Sequence, residues 1–197
     1  MIVLLDNGHG IETPGKRSPD GRLREYKYTR EIVKGISEKL KSLNITSVIL
    51  VPEDEDVGLS KRAERANKYA NEDSILISVH CNAAGAGDQW TKGTGWEAWT
   101  TVGQTESDIL AHYLYEAATE RLGGKFRIRK NSNRIGEEDF EKNFTVIFKA
   151  KMPAVLTENL FQDNKQEVEF LLSDEGRQTI IDLHVDGIVN YMNSRKS

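Results

Sequence analysis

Residues 1–10 read MIVLLDNGHG: an apolar run breaks off at Asp6, and a histidine follows between two glycines. Residues 2–5 are short and apolar enough for a strand covered on both faces. Glycine serves in any sharp corner, so Gly8 and Gly10 alone mark only a turn. A sharper reading is that they let the backbone fold closely around an imidazole that faces a ligand. Such a histidine would stand at the carboxyl end of a strand, where open α/β sheets keep their sites. Choosing between the two needs a partner for His9.

The stretch ILISVHCNA, residues 75–83, repeats the pattern and supplies His80. Neighbouring parallel strands would carry both histidines to one edge of a sheet. Further strands are expected over 47–51, 95–100 and 154–157, beside those over 2–5 and 74–79. Tyr28, Ile32, Ile36, Leu40 and Leu43 fall on one face and predict an amphipathic helix over 25–43. Leu59, Arg62, Ala63, Ala66 and Tyr69 suggest a second, and Ile109, Leu110, Tyr113, Leu114 and Ala117 a third, with Thr105 and Asp108 as its capping pair. Asn164 and Glu167 open a short helix reaching Leu172, and Ile180, His184, Ile188 and Met192 stripe a last one. The alternation predicts an α/β fold: a single domain over 1–197, with a mainly parallel twisted sheet of about five to six strands and helices on both faces. The polar stretch 127–142 reads as a surface excursion.

The chain's 197 residues suffice to bury a core of their own. A net charge of −4 provides no general basic field, so no nucleic-acid partner is expected. One cysteine, Cys81, excludes an internal disulfide framework. No apolar run approaches a membrane span, and no signal-peptide pattern precedes the first strand. The chain is therefore expected to be cytoplasmic until released, or a mature or truncated domain, and to act as a monomer without a separate binding domain.

Glu25 stands at the start of the first long helix, on its core face with Tyr28 and Ile32. Carboxylates favour helix N-termini, so a cap would explain it alone. Joined to His9 and His80, it completes a two-histidine, one-carboxylate set that suits a catalytic Zn²⁺ with its fourth position open. Such an ion activates water and polarises a carbonyl, which fits amide hydrolysis. Glu158, in PAVLTENLF at 153–161, follows another apolar strand to the same edge and is placed to act as base and acid.

These residues resemble the type 3 N-acetylmuramoyl-L-alanine amidases, zinc enzymes that cut between the lactyl group of muramic acid and the first alanine of the peptidoglycan stem. The family pattern Asp-Pro-Gly-His-Gly is met by Asp6, Asn7, Gly8, His9 and Gly10. Its helix-opening glutamate is met by Glu25, and its arginine and Ala-Asn pair by Arg62, Ala66 and Asn67, with Leu59 before them. Ser-x-His-x-Asn-Ala is met by Ser78, His80, Asn82 and Ala83, and the closing Pro-Ala-x-Leu-x-Glu by Pro153, Ala154, Leu156 and Glu158, then Phe161 and Asn164. The matches run from residue 3 to about 192 in the family's order. The chain departs from the pattern at Asn7, where the family has proline, at Pro52 and Glu53, where it has Thr-Arg, and at Leu160, where it has glycine. The resemblance implies that His9, Glu25 and His80 hold one Zn²⁺ per chain, that Glu158 is the catalytic glutamate, and that the substrate is peptidoglycan in the bacterial wall.

Asn82, Trp90 and Arg129 are candidates for holding substrate. The basic cluster Arg127, Arg129, Lys130 and Arg134 also reads as a solvated surface paired with Glu137, Glu138, Asp139 and Glu141. Cys81, next to His80 on a strand, should face away from it into the core. His112 is expected in solvent and His184 in the core, while Trp96 and Trp99 fit either core or groove. Two rivals to hydrolysis of the muramoyl amide are a module that binds muropeptides without turnover and a zinc peptidase acting on another peptide bond.

Overall fold

Val3, Leu4 and Leu5 are each fully buried, the double-sided cover expected of a central strand. The computed structural model describes residues 1–131 and 138–196. Its elements are β1 (Ile2–Asn7), α1 (Glu25–Ser42), β2 (Thr46–Ile49), α2 (Leu59–Asn67), β3 (Ser74–Asn82), β4 (Glu97–Thr100), α3 (Glu106–Leu122), β5 (Phe140–Glu141), α4 (Thr145–Lys149), β6 (Ala154–Phe161), α5 (Lys165–Leu172) and α6 (Asp174–Ser194). The strands form one six-stranded sheet in the order β2-β1-β3-β6-β4-β5. The first four in that order run parallel, while β4 is antiparallel to β6 and parallel to β5.

Alternate residues divide between two layers, as the pleat requires. Val3, Leu5, Ile75, Ile77, Val79 and Cys81 join Ile32 and Ile36 of α1, Leu110 and Leu114 of α3, and Ile180 and Ile188 of α6 in one apolar cluster. Leu4, Leu76 and Leu156 meet Ala66 of α2 and Val146 and Ile147 of α4 in a smaller one. The short helices leave the second face thinly covered, and the site lies there.

The mainly parallel α/β fold with helices on both faces agrees with the sequence reading, and details differ. α3 begins with a reciprocal cap between Thr105 and Asp108 as expected, and Asn164 caps α5 by accepting from Gln166 and Glu167. Leu43 belongs to the C-cap of α1 and is 51% exposed, so the apolar stripe ends at Leu40. β3 and β6 run on beyond residues 79 and 157, so His80 and Glu158 stand in the strands, side by side in register. The two-residue β5 and five-residue α4 are too short for periodicity to reveal. Of the 127–142 excursion, Arg134 and Glu137 lie outside the described residues. No helix of the described residues is long and apolar enough to cross a membrane.

His184 is fully buried and satisfied, as its place in the stripe suggested. Its Nδ1–H donates to the Ile180 carbonyl at 2.7 Å, and Nε2 accepts from Thr157 Oγ1 at 2.9 Å. Burial pushes its pKa from 6.5 down to about 4, against the smaller opposing effect of the Ile180 carbonyl. Between those values the unfolded chain binds a proton that the folded chain refuses. The His184 contribution is therefore complete above pH 6.5 and lost as pH falls towards 4, by about 2 kcal/mol at pH 5. Melting curves across this range should show His184→Gln lower at pH 7 but flatter towards acid than wild type. Parallel acid profiles would rule out this origin.

Candidate metal centre

His9, Glu25 and His80 arrive from three elements. His9 follows β1 at φ +61°, so the left-handed turn falls on the histidine itself, not on its neighbours. Gly8 and Gly10 have another task. A Cβ at Gly8 would collide with the His80 ring, and one at Gly10 with the Asp56 backbone. The turn is held by Arg62, 1% exposed, which donates to the carbonyls of Asn7, His9 and Val57. Arg62 Nη1 also pairs with Asp6 Oδ1 at 2.9 Å, and Asp6 Oδ2 accepts from Ser78 Oγ at 2.6 Å.

Glu25 is the first residue of α1 and is fully buried. Its Oε1 lies 3.2 Å from His80 Nδ1 and 3.4 Å from His9 Nε2, and accepts the Cys81 N–H at 3.0 Å. Its Oε2 accepts Gln162 Nε2 at 3.0 Å. The imidazoles stand edge to face with centroids 5.0 Å apart. One ligand atom from each of the three residues lies within 4.8 Å of the others. Burial alone would raise the Glu25 pKa, but hydrogen bonds and charge from His80 and His9 hold it far below the carboxylate range. Burial likewise opposes protonation of His80, yet Glu25 raises its pKa overall. With neutral imidazoles the cluster carries one buried negative charge, which a cation would neutralise. Two imidazoles and a carboxylate suit zinc among other ions, so this donor set fits the metal implied by the resemblance.

Glu158 sits beside His80 in the β3–β6 register, and its Oε2 is buried without a hydrogen-bond partner. Burial, helped by the charges of Glu25 and Glu97, pushes its pKa up to about 8, while His80 and Lys16 oppose the rise. A cavity of about 90 Å³ opens beside the histidines, lined by His9, His80, Asp6, Arg62, Asp56 and Val146 among others.

The remaining candidates scatter. Asn82 donates to Glu97 Oε1 at 2.8 Å, and Arg129 binds the other oxygen of Glu97 through Nε, so both stand near Glu158, the register neighbour of Glu97. Trp90 is 38% exposed on the loop after β3 and takes no part in the hydrogen bonds around the metal centre. Trp96 is core, donating to Asn159, and Trp99 packs on Phe140 and Phe144 while donating to Glu97. Cys81 is 3% exposed in the larger cluster, facing away from His80, and burial pushes its thiol up. His112 lies exposed between Glu116 and Glu138. Sequence reasoning missed Gln162 and Glu97. A glutamate inside the expected strand 95–100 was the available sign for Glu97, whereas Gln162 had none.

The fit of Gly8 against His80 generates a prediction. Gly8→Ala should weaken metal binding about 10- to 100-fold by displacing the His80 ring, as loss of a supporting contact commonly does. Gly58→Ala, whose Cβ would meet nothing within 4 Å, should not. Competition with a chromogenic chelator measures both, and equal affinities would remove the constraint.

Residues 3–190 match the family model described as N-acetylmuramoyl-L-alanine amidase. The endolysin of Bacillus phage SPP1 is 31% identical over 99% of this chain and 67% of its own length. The N-acetylmuramoyl-L-alanine amidase CwlM of Bacillus licheniformis is 28% identical over 99% of this chain and 70% of its own. The crystal structure of N-acetylmuramoyl-L-alanine amidase from Clostridium difficile 630 superposes with a TM-score of 0.85 at 27% identity, covering 98% of this chain and 97% of that one. With the same motifs in the same order across nearly its whole length, the chain belongs to the N-acetylmuramoyl-L-alanine amidase family.

Proposed function

We propose that this chain hydrolyses the amide between the muramic acid lactyl group and L-alanine in peptidoglycan, with one Zn²⁺ held by His9, Glu25 and His80 and with Glu158 as the catalytic glutamate. The observation that carries the reading is the convergence of the three donors beside a carboxylate that has a buried, unpartnered oxygen. Bound there, zinc would activate water and polarise the scissile carbonyl.

The protein's own residues supply positioning and proton transfer. Gln162 and the Cys81 N–H occupy Glu25 and fix its orientation towards the histidines. Arg62 holds the His9 backbone. Glu158 Oε2, free of protein donors, can take a proton from water and return it to the leaving alanine nitrogen. A pKa about 8 before a cation arrives lies near neutral, where both transfers are feasible. A nearby cation would lower it.

Asn82 and Arg129, joined through Glu97 beside Glu158, are assigned to substrate, with Trp90 on the neighbouring loop as a further contact for the sugar. The chain is proposed to work as a single catalytic unit and as a monomer on the bacterial wall. The rival reading as a binding module has no lost donor or lost glutamate to support it.

Substitution separates the roles. His9→Ala, Glu25→Ala and His80→Ala should each lose metal and turnover together. Glu158→Gln should keep metal and fold while turnover on purified peptidoglycan, read as new amino-terminal alanine, falls by about 10²- to 10⁴-fold. Loss of metal in that variant would make Glu158 a ligand, unchanged turnover would make it structural, and new termini other than alanine would favour the peptidase.

A further inference from the structure

Two facing arginines occupy the segment between His9 and Glu25 and have no role in the hydrolysis. Residues 10–24 leave His9, turn at Gly15 and Gly21, both at φ +71°, and return to Glu25 as a small hairpin. Its backbone is pinned. The Glu25 N–H donates to the Lys16 carbonyl at 3.0 Å, the Ser18 N–H to the Leu23 carbonyl at 2.9 Å, and Arg17 faces Arg24 across an antiparallel bridge. Ser18 and Leu23 are fully buried beneath it. The outer flank is tied down by Thr13 Oγ1 donating to Asp56 Oδ2 at 2.8 Å, and Gly87 packs so closely that a Cβ would stand 2.5 Å from the Gly15 carbonyl oxygen. These segments wall a cavity of about 350 Å³ that presents Lys16, Arg17, Arg24, Tyr26, Ile11 and Glu12.

Like charges directly opposite one another across a bridge are destabilising. Arg17 and Arg24 form such a pair, and among the described residues neither has an ion-paired or hydrogen-bonded carboxylate. Arg22, in the same hairpin, is bound by both Asp20 and Glu169. The carboxylate of the wall, Glu12, accepts the Asp56 N–H at 2.9 Å. Lys16 stands on the arm of the hairpin that binds the start of α1, its carbonyl accepting the Glu25 N–H. A cavity presenting three cationic side chains against one carboxylate thus stands on the segment that joins His9 to Glu25, with Arg17 and Arg24 exposed.

We propose that this cavity is the subsite for the free α-carboxylate of the second stem residue, held by Arg17 and Arg24; the assignment rests on the amidase reading. In peptidoglycan the second residue is a glutamate linked through its side chain, so its α-carboxylate is the first free acid after the scissile amide. It lies about two residues, roughly 7 Å of extended chain, beyond that bond. Arg24 precedes Glu25 directly, so its Cα stands about 3.8 Å from that of a proposed metal donor. The planar fork of arginine matches a carboxylate, and Ile11, 49% exposed, offers the alanine methyl an apolar wall.

The test compares a soluble muramoyl tripeptide carrying the free α-carboxylate with the same compound amidated at that position. Binding is measured by calorimetry on Glu158→Gln protein with and without Arg17→Ala and Arg24→Ala, and kinetics on the corresponding active proteins. Loss of two charge-assisted bonds should raise Kd and KM for the free acid by about tenfold or more, with kcat within about twofold. The amidated form should bind wild type weakly and be indifferent to the substitutions, and the melting temperature and metal content should hold. Equal effects on both forms, or none on either, would overturn the subsite. So would displacement by inorganic phosphate as effective as by the free acid, which would mark a general anion site. If wild type binds the free acid in this charge-dependent way but does not cleave it, the amidase reading fails and the anion site stands.

Discussion

The fully buried carboxylate of Glu25, held against two imidazoles, is the constraint on which the site depends. Removing a carboxylate from water is costly unless its oxygens are satisfied, and here a backbone N–H, the Gln162 amide and both rings share the task. Its place at the first turn of α1 adds the favourable end of the helix dipole. Because Glu25 opens α1, its position is fixed by the packing of Tyr28, Ile32 and Ile36 further along that helix. His80 stands in β3 and His9 in the turn that follows the neighbouring parallel strand β1. Three separately anchored elements therefore aim at one point, which is the preorganisation a metal centre needs.

The two sheet faces divide the work between them. The face under α1, α3 and α6 carries the larger apolar cluster, with the hydrogen-bonded Thr157, Asn159 and His184 among it. The face under α2 and α4 carries Asp6, Ser78, His80 and Glu158 in alternate strand positions, and Arg62 reaches into it from α2. A buried ion pair such as Asp6–Arg62 gains little net stability, because desolvation consumes much of the Coulomb attraction. Its value is positional. The same guanidinium that faces Asp6 satisfies the carbonyls of the left-handed turn at His9, so charge burial on this face holds a strained loop in place.

Much of this was legible in the sequence. Periodicity located the long helices and the central strands, and strand ends located His9, His80 and Glu158 on one side of the sheet. Cys81 could be turned away from the site by the pleat alone. Legibility ended where contacts depend on tertiary register. Glu97 approaches Glu158 only because β4 pairs antiparallel with β6, and Gln162 reaches Glu25 only after β6 has bent. The role of the glycines also lay beyond reach: Gly8 is small for the sake of a ring on another strand, a fact that no local turn rule contains.

That bend explains how a departure from the family pattern is tolerated. Between His80 and Asn82 of β3 the partner strand advances from Glu158 to Phe161, one residue more, and Leu160 takes φ +65°. Bulges of this kind re-aim side chains beside sites. Asn159 secures this one by donating to the His80 carbonyl and accepting from Trp96. A left-handed leucine costs about 1–3 kcal/mol, which glycine would avoid. Leu160, however, is fully buried in the larger apolar cluster. Burying a leucine side chain returns about 1.5–3 kcal/mol, so the strain is offset within the same residue. What the bend requires is therefore the extra residue and its turn, which leucine accommodates here while His9, Glu25 and His80 still converge.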